Sequence, residues 1–120
     1  MKSITVKDKK IFDMNNPNIW ISSTYSEIAD KLKDIPVVIN LVHDNVPQDD
    51  KSIVIGVITK VTKAVNNEFF GTIFLYDEQY KDYEFLNYEV AVKSEAYPNM
   101  EFKNVFKIKN ILCVEFAKIK

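Results

Sequence analysis

Two hydrophobic periods divide this chain, one helical and short, the other alternating and long. In SSTYSEIADKLKDIP, Tyr25, Ile28, Ala29 and Leu32 recur at helical spacing behind Thr24 and Glu27, which fit a capping box, and Pro36 stops the run. The period then changes to two. PVVINLV reads as a short buried strand rich in β-branched residues, and the polar loop HDNVPQDDKS follows it. IVIGVITKVTKAV and EFFGTIFLY flank Asn66-Asn67 and predict a hairpin, since asparagine accepts the positive φ of the primed two-residue turns.

After Tyr76 the segment DEQYKDYEFLN predicts a second short helix, with Asp77 near its N-terminus, where a carboxylate suits the helix dipole. YEVAVKS alternates as a strand and EAYPNM is a loop. In the last twenty residues Phe102, Phe106, Ile108, Leu112, Val114 and Phe116 share one parity, giving a long strand or two strands broken near Asn110. Gly56 and Gly71, the only glycines, lie inside predicted strands, where glycine marks a bulge, a bend or the close approach of another backbone. The pattern predicts a β-rich α+β fold of six or seven strands: a bent or closed, mostly antiparallel β-barrel with two short helices. A single domain spans 1–120, with an N-terminal strand and helix over 1–34 and the barrel core over 35–120. A sheet this long in so short a chain has edges to manage, and closure is one way to do it.

Composition narrows the chemistry. With 120 residues, 47% of them hydrophobic and 28% charged, the chain fits one globular domain with its own core. No apolar run approaches the roughly 20 residues that span a bilayer, and MKSITVKDKK lacks the apolar core of a signal peptide, so no membrane association is expected. Sixteen basic residues balance 17 acidic ones, and every basic residue is lysine. Without arginine's bidentate fork, nucleic acid is not an expected partner. A single cysteine, Cys113, and a single histidine, His43, leave no disulfide and no obvious metal site, and no cofactor is expected.

His43, at the transition from an apolar strand into a polar loop, is the candidate general base; the competing reading makes it the polar end of a buried strand. Asp44 points to the other side of an extended chain and is a poor orienting partner. Among Ser3, Ser22, Ser23, Ser26, Ser52 and Ser94, the serines at the helix start read as caps, whereas Ser94 closes a predicted strand and is the candidate nucleophile. Glu95, Glu101 and Glu115 are the acidic candidates for a third member. Glu115 is carried forward, although its parity, shared with Cys113, turns it toward solvent. Asp49 and Asp50 lie in a loop and read as solvated, and Cys113 reads as a packing residue.

The order of segments, IPVVINLVHDN, a loop, IGVITKVTKAVNNEFFGTIFL, a short helix, LNYEVAVKSEA and IKNILCVEFAKI, resembles the layout of tailed-phage prohead maturation proteases, whose barrel is shared with the herpesvirus assemblins. The resemblance runs from about Ile35 to Ile119. It implies a serine endopeptidase acting in capsid assembly and maturation, with His43 as base, Ser94 as nucleophile and Ile55-Gly56 as the dipeptide after the loop. Ser94 falls a little later than the family's serine, and Cys113 stands near where an acid is expected. The resemblance therefore also accommodates a shortened, non-catalytic relative with a structural or scaffolding role. A small phage-encoded protein that binds or inhibits a host protein is the reading from a different class. Each implies protein partners, namely capsid, scaffold or host proteins, a location in the host cytoplasm or the virion, and a homodimer as the default assembly.

Overall fold

A computed structural model describes residues 2–15, 20–40, 52–94 and 105–118. The elements in chain order are β1 (Ile4–Asp13), β2 (Trp20–Ile21), α1 (Tyr25–Leu32), β3 (Pro36–Ile39), β4 (Ile53–Val65), β5 (Glu68–Leu75), a 3-10 turn (Glu78–Tyr80), β6 (Tyr83–Ser94) and β7 (Val105–Lys118). The seven strands form one sheet ordered β1-β5-β4-β3-β7-β2, with β6 on the other side of β7. β2 and β3 run parallel to β7, and every other pairing is antiparallel. The β-rich, mostly antiparallel character is as the period of two predicts.

Local chemistry sets the elements. Thr24 caps α1 and Glu27 reaches back to the Thr24 backbone, completing the capping box, while Ile28 and Leu32 are fully buried beneath the helix. Asn66 and Asn67 take φ of 52° and 63° in the β4–β5 turn, the left-handed values that a primed hairpin turn needs. Asp77 caps the 3-10 turn by accepting from the Gln79 backbone at 3.1 Å. Gly71 is required by close approach: a Cβ there would run into the Lys60 carbonyl oxygen and the Ile11 side chain. Both glycines sit beside register shifts in the ladders, so the expectation of bulges and close backbones holds.

The core lies inside the curl of the sheet. Ile11, Phe12, Val37, Ile58, Phe69, Ile73, Val114 and Phe116 line it, with Ile28 and Leu32 arriving from α1. Two serines tie the helix entrance to β7. The Ser22 hydroxyl donates to the Phe106 carbonyl at 3.3 Å, and the buried Ser23 hydroxyl accepts from the Ile108 N–H at 3.0 Å. The sequence pattern reads them as helix caps, but Thr24 has that role, and Ser22 and Ser23 extend the β2–β7 pairing past Phe106.

Three further expectations are corrected. Among the described residues no hydrogen-bonded ladder joins β1 to β6, so a closed barrel is not shown. Where these strands approach, Phe12 stands 4.6 Å from Tyr88 and 6.4 Å from Phe85, ring to ring, and aromatic packing takes the place of a ladder. β6 also begins well before Tyr88, because Tyr83, Phe85, Tyr88 and Val90 all pack toward the core. Lastly, β7 does not keep one parity. Its register against β6 jumps from Glu89↔Cys113 to Val90↔Ile111, which leaves Leu112 as an extra residue, half exposed at 50%. Cys113, Val114, Glu115 and Phe116 are then all buried, because β7 runs between β3 and β6 at this level. No helix among the described residues is long and apolar enough to cross a membrane.

Candidate functional site

The β6–β7 ladder fixes the relation between the two candidate catalytic groups that lie on described strands. Ser94 is the last residue of β6, exposed, and opposite Phe106. Glu115 stands opposite Asn87 on β6 and Val38 on β3. Ser94 and Asn87 are separated by 94 − 87 = 7 residues of extended chain, a span of about 23 Å at roughly 3.3 Å per residue. A relayed proton needs hydrogen-bond contact, roughly 3 Å between heavy atoms. The ladder thus does not bring Glu115 to Ser94. Nor does Glu115 face solvent, as its parity implied. It is 6% exposed, because at this level of β7 both faces are covered, from Cys113 to Phe116.

His43, Asp44, Asp49, Asp50, Glu95 and Glu101 lie outside the described residues. Ser3, Ser26 and Ser52 are exposed. Among the described residues, no side chain is hydrogen-bonded to the Ser94 hydroxyl.

Cys113 neighbours Glu115 two residues away on β7 and is 7% exposed. Burial pushes its thiol above the ordinary value, and the Glu89 and Glu115 carboxylates push the same way; a hydrogen bond from the Glu89 backbone opposes them. A thiol so placed stays protonated at neutral pH and is a weak nucleophile. Among the described residues no group of three or more His, Cys, Asp or Glu side chains is placed to hold a metal ion.

The seam between β1 and β6 is the most elaborate polar and aromatic constellation in the described structure. Lys10 on β1 bonds Asp13 at 2.8 Å and Glu68 at 3.1 Å, and its ammonium lies 5.7 Å from the Phe85 ring centroid. The Asp13 hydrogen bond raises the Lys10 pKa most strongly, partial burial works against it, and Glu68 adds to the rise. Sequence reasoning assigned these residues no part, because what unites them is a meeting of strands more than 70 positions apart. Along this same edge of β6, past Tyr88, no ladder is formed among the described residues from Glu89 to Ser94.

Comparison with known proteins adds no relative. No family model matches the chain, and neither a curated protein nor a solved structure matches it.

Proposed function

We propose that this domain is a non-catalytic protein-assembly module, of the capsid-assembly class that the order of segments from Ile35 to Ile119 resembles. The observation that carries the non-catalytic half is the ladder distance: Ser94 lies seven residues along β6 from the level of Glu115, about 23 Å away, so this serine and this acid do not form one relay. The assembly half rests on the resemblance and on exposed apolar side chains, among them Leu86 and Val92 on β6 and Leu112 on β7. Capsid or scaffold proteins, or a host protein, are the partners in this reading, in the host cytoplasm or the virion. The curled sheet reads as a bent barrel left open along the β1–β6 seam.

The serine endopeptidase is the second reading, favoured by one observation: the Ser94 hydroxyl is exposed at a strand end, where a nucleophile would be accessible. It would act with His43 as base and a third member other than Glu115. Labelling with a fluorophosphonate probe, with intact-mass analysis after overexpression, decides between the two. Absence of label and an identical processing state in the parent and Ser94→Ala are expected. Labelling that Ser94→Ala abolishes would establish the enzyme.

A further inference from the structure

The sequence Tyr88-Glu-Val-Ala-Val-Lys-Ser94 is nearly palindromic in chemical type about Ala91: valine on either side, then an acid and a base, then two hydroxyl-bearing residues. It lies on β6, which pairs with β7 along one edge; the other edge meets β1 through aromatic packing at Phe85 and Tyr88 and has no ladder among the described residues from Glu89 to Ser94. We infer that this edge is an interface for a second copy of the chain, β6 pairing antiparallel with β6 of its mate across a two-fold axis at Ala91.

Symmetry limits the choices. When a strand pairs antiparallel with its own copy about an axis perpendicular to the sheet, the residue on the axis must face itself, so choosing that residue fixes the whole register. With Ala91 on the axis, Glu89 of each copy faces Lys93 of the other, Val90 faces Val92, and Tyr88 faces Ser94. Both charges are matched twice, once on each side of the axis. Placing the axis at Val90 sets Lys93 against Asn87, at Val92 sets it against Ala91, and at Glu89 brings two carboxylates face to face. Cross-strand pairs of opposite charge stabilise a sheet and like charges destabilise it, so the side chains themselves select the Ala91 register.

The surface is suited to this occupant. Glu89, Val92, Lys93 and Ser94 are exposed, and Val92, at 37%, is an apolar residue that a facing valine would cover. No salt bridge within the described structure engages Glu89 or Lys93, so pairing breaks no existing ion pair. Ala91 on the axis keeps the crossing point free of bulk. Charges on an edge strand ordinarily guard it against indiscriminate pairing. Here they also favour the one register that matches both pairs. The pairing stands on β6 alone and does not depend on whether the domain assembles or cleaves.

Charge reversal tests it on the full chain, with sedimentation velocity as the readout across a range reaching about 200 µM. The parent is expected to dimerise. Glu89→Lys and Lys93→Glu, both at exposed positions, should each weaken the dimer about tenfold or more, because every matched pair becomes a like-charge pair. The double variant Glu89→Lys/Lys93→Glu should recover the parental dimer, and an equimolar mixture of the two single variants should form a heterodimer. A parent that is monomeric throughout this range, or a double variant no stronger than the singles while its circular dichroism matches the parent, overturns the proposal.

Discussion

The Tyr25 hydroxyl holds both ends of Asn67, accepting from its backbone N–H at 2.8 Å and donating to its side-chain oxygen at 2.9 Å. Tyr25 opens α1 and Asn67 is the second residue of the β4–β5 turn, so this one phenol fastens the helix to the hairpin. Its ring also packs edge-on against Phe69 at 5.3 Å, which is why the hydroxyl reaches the turn in a fixed geometry. Tyr25→Phe keeps the ring and removes both bonds. A loss of about 1 kcal/mol in urea unfolding is expected, with the fold retained; no measurable loss would show the turn to be self-sufficient.

Gly71 carries a steric prediction. Because a methyl group at this position meets the Lys60 carbonyl and Ile11, Gly71→Ala must move backbone in the middle of the sheet. The expected cost is about 2–3 kcal/mol, against the few tenths that an open strand position would show. Thermal or chemical unfolding measures it.

Ser23 is buried and its hydroxyl is the acceptor for the Ile108 N–H. Ser23→Ala leaves that N–H without its partner in a dry site, for an expected loss of about 1–3 kcal/mol. Ser26→Ala, on the exposed face of α1, serves as the comparison and should change stability by less than about 0.5 kcal/mol.

Cys113 should be silent toward alkylating reagents in the native protein and react fully once it unfolds. Both its burial and its raised pKa act in this direction. Rapid modification of the native protein by a disulfide reagent near neutral pH would show that β7 opens readily at this level.

Glu27 makes one contribution to acid sensitivity. The Thr24 backbone N–H holds its carboxyl below the ordinary value of 4.5, with help from Lys107, 3.3 Å away, and from the Thr24 hydroxyl. A carboxyl with a lowered folded pKa binds fewer protons folded than unfolded between the two values. Its stabilising contribution is therefore full above about pH 4.5 and is lost as pH falls through the folded value. Glu27→Gln should lower stability at neutral pH and flatten the acid limb of the stability profile, which unfolding curves between about pH 3 and 7 will show.

Much of this architecture could be read directly from local pattern. The capping box at Thr24 and Glu27, the Asn66-Asn67 turn and the strand glycines each express chemistry confined to a few neighbouring residues, and each is where the pattern put it. The candidate site was less legible. Ser94 is at the strand end expected of it, but parity counted from Phe102 to Phe116 assumed an unbroken strand; the extra residue at Leu112 turned Leu112 outward, and Glu115, opposite in parity to Val114 and Phe116, is buried because both faces of β7 are covered at its level. An inserted residue has no signature of its own in an alternating pattern; it exists only as a mismatch between two strands.

By itself, the sequence determined the type and limits of the local elements, because capping, turn chemistry and side-chain period act between residues a few positions apart. Only the tertiary structure decided which edges of the sheet meet and which do not. The β1–β6 seam is filled by Phe12, Phe85 and Tyr88 rather than by a ladder, and the burial of Glu115 follows from β7 lying between β3 and β6. Both depend on register between strands distant in sequence, which the packing of the whole sheet selects.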